Sequence, residues 1–233
     1  MRVISERDKF AGLQKTIVGC RKCPRLVEWR EQVANEKVKR YKQEKYWGRP
    51  LPSFGDPGAR LIIIGLAPAA HGGNRTGRLF TGDRSGDWLF ETLHRYGFSN
   101  QPTSVRRDDG LKLYDTLITA ALRCAPPGNK PLPDEMDNCR LYLRQELQLL
   151  GSASVVVLLG QIAFHDFFKA WHEIGRQVRA PMPKFHHGAE YVLPEGPSVI
   201  ASYHPSQQNT QTGRLTRTMF YRIFHRARIV LDQ

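Results

Sequence analysis

The four cysteines of this sequence are arranged in a way that suits a metal site. Cys20 and Cys23 form a Cys-x-x-Cys pair, and fourteen residues separate Cys124 from Cys139. Four thiolates can complete a tetrahedral zinc site or hold a [4Fe–4S] cluster, and the spacing does not distinguish the two. The alternative is four unrelated thiols, two of them buried as small apolar side chains. The tight pair and the even count favour a metal site.

Residues 65–83 form a glycine-rich segment that is a second candidate for chemistry. It follows a predicted buried strand, and parallel α/β sheets place their sites at the carboxyl ends of strands. Five glycines allow its backbone to approach a ligand closely. Phe80 lies among polar neighbours and offers a ring on which a base can stack. Asp83 offers a carboxylate at a predicted helix start, where it can equally serve as the helix cap.

His204 is the third candidate, at the end of another predicted strand. Pro205 follows it and favours an extended or turn conformation. A lone histidine is more often structural, but the next segment, residues 207–214, has amide side chains and no acidic residue. Such side chains suit contacts with phosphates and base edges. We therefore predict a chemical role for His204.

The charge of the chain indicates a polyphosphate partner. It has 35 Lys and Arg against 22 Asp and Glu, a net charge of +13. A folded domain with this excess has a positive surface, which favours nucleic acid because bound phosphates release counterions. Residues 1–7 lack the apolar core of a signal peptide, and the apolar runs are too short to span a bilayer. We expect a soluble, cytoplasmic protein associated with the nucleoid, whose cysteines are metal ligands rather than disulfides.

The hydrophobic pattern predicts an α/β fold. Buried strands are predicted at residues 61–65, 117–122, 155–159 and 199–203. Helices are predicted from residue 83 or 85 to 96, 134 to about 150, 161 to 171, and 215 to 231. Because strands alternate with helices, we expect a mainly parallel sheet covered on both faces.

The amino-terminal arm, about residues 1–52, is predicted to be helical and basic over residues 5–49 until Pro50 and Pro52 interrupt it. Its end is rich in cations: Lys37, Lys39, Arg40, Lys42, Lys45 and Arg49. We expect residues 1–233 to form a single domain, with the arm connected to the body by the metal site.

Taken together, the two loops, the cysteines and residues 123–130 (Arg-Cys-Ala-Pro-Pro-Gly-Asn-Lys) resemble the uracil-DNA glycosylase superfamily. The match is closest to its fifth family, the type-B enzymes known mainly from thermophilic archaea and bacteria. The resemblance runs from Cys20 to the terminal helix. It implies a three-layer α/β/α sandwich and a thermophilic source. It also implies a [4Fe–4S] cluster on Cys20, Cys23, Cys124 and Cys139, and so favours iron–sulfur over zinc.

Two departures from the related fourth family matter for the site. Those enzymes have a carboxylate just after the glycine that ends the first strand, where this chain has Leu66 and Ala67. They also have an asparagine where Ala120 stands. Both departures match the type-B pattern. The resemblance then implies that Asp83 positions or activates water, that Asn129 contributes to recognition or catalysis, and that deaminated bases such as hypoxanthine are also accepted.

The implied reaction is hydrolysis of the N-glycosidic bond of uracil in double-stranded DNA, which leaves an abasic site. The nucleotide must first flip out of the duplex. Phe80 would stack on the base, and His204 would donate a hydrogen bond to its O2. Further predicted substrate contacts are Gly65, Ala67, Ala69 and Asn209. Predicted DNA contacts are Arg75, Ser206, Gln208 and Arg214, with residues 207–214 entering the gap in the duplex.

The expected partner is double-stranded DNA that contains uracil or another deaminated base, with a sliding clamp as a further candidate. We expect a monomer with no membrane association. The main alternative is a non-catalytic nucleic-acid-binding protein in which the four cysteines hold a structural zinc ion. A metal-dependent hydrolase or nuclease is disfavoured, because no His and carboxylate cluster is evident in the sequence.

Overall fold

The centre of the protein is a mixed β-sheet whose inner strands run parallel. The computed structural model describes residues 5–178 and 181–233. Its strands are β1 (Phe54–Gly55), β2 (Leu61–Gly65), β3 (Thr116–Ala120), β4 (Val155–Leu159), β5 (Glu190–Val192) and β6 (Ser198–Ser202). They lie in the order β1-β3-β2-β4-β6-β5, with β3, β2, β4 and β6 parallel and the edge strands β1 and β5 antiparallel. The predicted mainly parallel sheet is confirmed.

The inner strands follow directly from the sequence pattern. β2 and β4 are continuous apolar runs buried along their whole length, as strands covered on both faces must be. Their predicted bounds match the structure, while β3 and β6 begin one residue earlier and end one or two residues earlier than predicted. The edge strands β1 and β5 were not predicted. They have two and three residues and none of them is buried, so they leave no periodic signal.

Helices cover both faces of the sheet. Among the described residues they are α1 (Glu6–Val18), α2 (Pro24–Glu36), α3 (Gly73–Thr76), α4 (Arg84–Arg95), α5 (Pro133–Leu149), α6 (Gln161–Glu173), α7 (Gln207–Gln211) and α8 (Arg217–Leu231). Successive side chains of a strand point to opposite faces. Accordingly, Ile63 of β2 packs with Phe90 of α4 and Phe224 of α8, whereas Ile62 packs on the α5 and α6 side. The predicted three-layer α/β/α sandwich is confirmed.

The amino-terminal arm is less helical than predicted. The structure has α1, α2 and a 3-10 turn at Lys39–Tyr41 in place of a continuous helical segment. Gly19 ends α1, and Pro24 begins α2, where its fixed φ and missing N–H are tolerated. Lys37, with φ of +55°, ends α2. Residues 1–4 of the predicted arm, part of the stretch that argued against a signal peptide, lie outside the described residues.

The arm packs on the body through an apolar cluster and two polar contacts. Leu13, Ile17 and Leu26 pack with Leu122 and Met136. Two further pairs bridge the same junction: Arg25–Glu135, with Nη2 and Oε2 2.7 Å apart, and Gln14–Glu146, with Nε2 and Oε1 2.8 Å apart. No helix among the described residues is long and apolar enough to cross a membrane.

Candidate active site

A pocket of about 740 Å³ opens at the carboxyl ends of the parallel strands. Its volume falls in the range typical of ligand sites. The segments that follow β2, β3, β4 and β6 all contribute to its wall. The lining side chains include Ala67, Ala69, Phe80, Asp83, Asn129, Gln161, Tyr203, His204, Ser206, Gln208, Asn209 and Arg214. The structure therefore brings together most of the site residues predicted from separate parts of the sequence.

Phe80 and His204 face each other inside this pocket. Their ring centroids are 5.9 Å apart and their planes differ by 27°. Phe80 has φ of +52°, a left-handed conformation that is uncommon for a bulky residue and is held only by the surrounding structure. A Cβ added at Gly65 would lie 2.6 Å from Cζ of Phe80. The absence of a side chain at Gly65 thus leaves room for the Phe80 ring. Gly65 itself is not among the residues that line the pocket.

The backbone of His204 is held in place by the side chain of Asn209. Its carbonyl accepts a 2.8 Å hydrogen bond from Nδ2 of Asn209, which lies in the short helix α7. Desolvation in the pocket lowers the pKa of His204 to about 4, because an imidazolium loses hydration there without a carboxylate to compensate. The imidazole is therefore neutral near pH 7. A neutral imidazole donates one hydrogen bond and brings no charge of its own.

Asp83 caps a helix and also lies in the wall of the pocket. Its Oδ1 accepts a 2.9 Å hydrogen bond from the N–H of Gly86, so it caps α4. Asp83 also lines the pocket, and its Oδ2 occupies the space that a Cβ on Gly72 would need. Desolvation raises the pKa of this carboxyl above its usual value, because the charged form is poorly solvated.

The rim of the pocket is mainly polar and positive. Asn129 is exposed and follows Gly128, with both residues at positive φ. Ser206 caps α7 and Gln208 is exposed within it, so part of the predicted loop is helical. The guanidinium of Arg214 lies 4.6 Å from the centroid of the Tyr203 ring. Arg84 and Lys130 add two further cations to the lining.

Arg75, unlike the other predicted DNA contacts, does not line the pocket. Its side chain is only 6% exposed and forms an ion pair with Glu44. Its guanidinium lies 3.9 Å from the centroid of the Tyr41 ring, and Nε donates to the carbonyl of His71. Arg75 was predicted to contact DNA; in the structure this buried cation connects the glycine-rich segment to the arm.

The sequence analysis did not identify residues 159–163 or Phe185 as part of the pocket. Gly160, with φ of +98°, turns the chain from β4 into α6 and lies against Cβ of His204. The strand-end argument applied to β2 and β6 would also have identified Gly160 and Gln161 at the end of β4. Phe185 is in an irregular segment, and no pattern in the sequence indicates it.

The four cysteines meet at one cavity on the side of the arm. Cys20 follows α1 and Cys23 precedes α2, while Cys124 follows β3 and Cys139 lies in the second turn of α5. All four line the same cavity, together with apolar side chains such as Leu26. Within residues 5–178 and 181–233, no three His, Cys, Asp or Glu side chains are grouped as ligands of a single metal ion.

The surroundings of these thiols fit a negatively charged metal centre. Arg30 is buried, with Nη1 2.9 Å from Sγ of Cys124, and its Nε has no hydrogen-bond partner among the residues that the structure describes. Its nearest carboxylate, on Glu31, is 3.9 Å away. Burial raises the pKa of Cys124 to about 11 and also raises that of Cys139. Bound metal deprotonates coordinating thiols, and the resulting thiolates would compensate the buried cation.

Comparison with known proteins agrees with this geometry. The family model of the uracil DNA glycosylase superfamily matches residues 52–228. The type-5 uracil-DNA glycosylase of Thermus thermophilus is 50% identical over 221 residues, 95% of this chain and 97% of that protein. The type-5 enzyme of Pyrobaculum aerophilum is 44% identical over 97% of this chain and 95% of its own length. The type-4 enzyme of Archaeoglobus fulgidus is 30% identical over 67% of this chain and 70% of that protein. The chain belongs to the uracil-DNA glycosylase superfamily and, within it, to the type-5 family.

Proposed function

We propose that this protein hydrolyses the N-glycosidic bond of uracil in double-stranded DNA and leaves an abasic site. The observation that supports this most directly is a neutral, desolvated imidazole beside an aromatic ring in a pocket at the strand ends. The type-5 relatives are themselves named uracil-DNA glycosylases. The net charge of +13 suits a DNA substrate.

The mechanism begins with a nucleotide flipped out of the duplex, since the bond cannot be reached within the stack. The flipped base stacks on Phe80, which is worth about 1–3 kcal/mol by comparison with other base–aromatic contacts. As the C1′–N bond breaks, negative charge develops on the base. The neutral His204 imidazole donates a hydrogen bond to O2 of the base and stabilises that charge.

Asp83 acts on the sugar side of the reaction. The sugar develops oxocarbenium character as the base leaves, and a carboxylate nearby stabilises that positive charge. The same carboxylate orients the water that attacks C1′. Asn129 at the rim contributes to recognition of the base or to catalysis, and Ser206, Gln208 and Arg214 contact the DNA.

Replacement of Asp83 separates its catalytic role from its capping role. Asp83→Asn retains an acceptor for the Gly86 N–H, because asparagine caps helices as well as aspartate does. It removes only the charge. We expect both Asp83→Asn and Asp83→Ala to lower the single-turnover rate at least about tenfold, whereas only Asp83→Ala loses about 1 kcal/mol of stability. Full activity in Asp83→Ala would leave Asp83 as a helix cap alone.

The pH profile should also distinguish the two groups. The pKa of His204 is lowered to about 4, so this imidazole takes up a proton only as the pH falls through that value and not near 6.5. Desolvation raises the pKa of Asp83, so this carboxylate takes up a proton at a higher pH than an ordinary aspartate does, and the rate falls as it protonates. In Asp83→Asn we expect a lower rate that is constant through pH 6.5. A titration at that pH in this variant, measured under single-turnover conditions, would contradict a neutral His204.

Gly65 is expected to control activity through the position of Phe80. In Gly65→Ala the new methyl group would lie 2.6 Å from Cζ of Phe80 and displace the ring from the stacking position. We expect the rate of uracil excision to fall about tenfold, the equivalent of a weakened stacking contact. Gly151→Ala is the matched control, because nothing lies within 4 Å of its Cβ. Equal rates for the two variants would exclude a role for Phe80 in base stacking.

We further propose that the four cysteines hold a [4Fe–4S] cluster. The cluster would supply a net negative centre, held by thiolates of both the arm and the body. The resemblance to the type-B enzymes favours iron–sulfur over zinc, and the buried Arg30 beside Cys124 supports a centre of negative charge. On this view the whole chain is a single domain. A cytoplasmic, nucleoid-associated location, a monomeric state, a sliding-clamp partner and a thermophilic source stay predictions.

The absence of a recognition asparagine leads us to propose a broader range of bases. Ala120 ends β3, so no amide side chain is present there to read the edge of uracil. We propose that hypoxanthine and similar deaminated bases are also excised.

The proposed function is tested with duplexes that each contain one uracil, hypoxanthine, xanthine or thymine. Alkali-labile abasic sites are scored, with single-stranded DNA as a control. Abasic sites at uracil in the presence of EDTA are the expected result. If no deaminated duplex acquires an abasic site, the protein binds nucleic acid without cleaving it. If that inactive protein also contains zinc in place of iron, it is the non-catalytic nucleic-acid-binding protein with a structural zinc ion.

A further inference from the structure

A further cavity, of about 960 Å³, lies on the amino-terminal arm between α1, α2 and residues 45–49. We call it the arm groove. It is distinct from the pocket that holds His204, because the two share no lining residue. The arm groove is lined by Lys15, Val18, Gly19, Arg21, Arg30, Glu31, Ala34, Asn35, Lys37, Lys45, Tyr46, Trp47, Gly48 and Arg49.

The arm groove is strongly positive. Six of its lining residues are lysine or arginine, and Glu31 is the one carboxylate among them. Glu31 is already paired with Arg21. Lys15, Lys45 and Arg49 are exposed and form no ion pair with any described residue. By contrast, many arginines of the body are neutralised by carboxylates, as Arg123 is by Glu146. The arm groove is therefore a place where the excess charge of the chain is concentrated.

The wall of the arm groove is fixed by close packing. Gly48 has φ of +60°, and a Cβ there would lie 2.9 Å from Cβ of Ala34 on α2. Tyr46 is buried, and Nε1 of Trp47 donates a 3.1 Å hydrogen bond to the carbonyl of Pro50. A charged surface that is already ordered loses little conformational entropy when it binds a partner.

One loop separates the arm groove from the catalytic pocket. The loop of residues 67–83 contributes Phe80 and Asp83 to the pocket. The middle of the same loop contacts the groove wall: the hydroxyl of Tyr46 lies 3.1 Å from Nδ1 of His71, and the N–H of Trp47 donates to the carbonyl of Arg75 at 2.9 Å. Because this one loop contacts both sites, we expect the phosphates that flank a flipped nucleotide to lie within reach of the groove.

We propose that the arm groove binds the phosphate backbone of the duplex that flanks the damaged nucleotide. This inference rests on the proposed function for the presence of DNA, but it assigns a different surface. The groove adds affinity for any long duplex without reading sequence, since cations that contact phosphates position a protein and carry no base information.

The test compares two triple variants that remove the same charge. Lys15→Gln/Lys45→Gln/Arg49→Gln changes the groove, and Lys112→Gln/Lys169→Gln/Arg222→Gln changes exposed cations outside both cavities. Binding to an undamaged duplex three helical turns long is measured by fluorescence anisotropy at several salt concentrations. We expect the groove variant to bind at least about tenfold more weakly, and the slope of log K against log [salt] to fall by up to about 2.7 for three lost contacts. The control should keep the wild-type slope.

A second duplex, one helical turn long, shows whether the groove variant binds weakly because its cations are missing or because it is misfolded. It has no flanking phosphates to reach the groove, so the groove variant should bind it as wild type does. Equal salt slopes for the two triple variants on the long duplex would overturn the proposal. Weaker binding of single-stranded RNA alone would assign the groove to RNA and also overturn it. The outcomes are independent of cleavage: wild-type protein that binds through the groove but releases no uracil would refute only the proposed function.

Discussion

Replacement of His204 by alanine is expected to slow single-turnover excision of uracil at least about tenfold, and by about 100- to 1,000-fold if His204 supplies a preorganised donor of the usual strength. The reason is that the imidazole acts only as charge develops on the departing base. Desolvation keeps it neutral, with a pKa of about 4, and the Asn209 amide holds its backbone in place. Binding of the same duplex, measured by anisotropy, should change little.

His172→Ala is the matched control for this experiment. His172 is exposed near the end of α6 that lies far from the pocket, so its loss should leave the rate unchanged. If His204→Ala excised uracil at the rate of the His172 variant, the imidazole would have no part in the reaction. The reaction would then depend on base stacking by Phe80 and on the carboxylate of Asp83.

Replacement of Cys139 by serine is expected to remove the cluster and destabilise the whole protein. Cys139 is buried, and its Sγ accepts a 3.3 Å hydrogen bond from the backbone N–H of Arg123, so a serine there has the position but not the thiolate that iron requires. A loss of about 4 kcal/mol would lower the thermal midpoint by on the order of 10 °C in a chain of this size. Iron and sulfide content, visible absorbance and the melting curve measure the effect.

Tyr142→Phe is the control for the cysteine variant. Tyr142 lines the same cavity, but its phenol is not one of the four sulfur ligands, so iron and sulfide should be retained. If Cys139→Ser contained as much iron as the wild type, Cys139 would not be a ligand. If wild-type protein contained zinc and no sulfide, the cluster assignment would be wrong, while the role of the cysteines in joining the arm would stand.

The cysteine cavity and the catalytic pocket are joined by backbone hydrogen bonds beyond the ends of β2 and β3. The N–H of Ala121 donates to the carbonyl of Gly65 at 2.9 Å, and that of Leu122 donates to Leu66 at 2.8 Å. One of these segments leads to Cys124 and the other to the pocket. Loss of the metal centre is therefore expected to disturb the packing of the arm. It is also expected to disturb the pocket, through these two backbone hydrogen bonds.

Much of the fold was predictable because its inner strands have a strong pattern. β2 and β4 are apolar runs rich in Ile, Val and Leu, a pattern typical of strands buried on both faces. The arm was predicted less well. Residues 5–49 were predicted to be helical, but Gly19 and Pro24 separate two helices and Lys37 ends the second.

The candidate site was predictable where it lies at a strand end. Asp83 and His204 were selected by that rule, and both line the pocket. Arg75, predicted as a DNA contact, is buried in the structure against Tyr41 and Glu44. The burial of a single side chain depends on residues far away in the sequence, which a local pattern does not contain.

The sequence alone determined the alternation of strands and helices, the grouping of chemical residues at strand ends, the four candidate thiol ligands and the positive charge. These are properties of residue type and spacing along the chain. Tertiary structure decided that Phe80 faces His204, that desolvation keeps His204 neutral, and that cations of the arm line one groove. Each of these depends on distances and solvent exclusion between segments that are remote in sequence, and only packing sets those quantities.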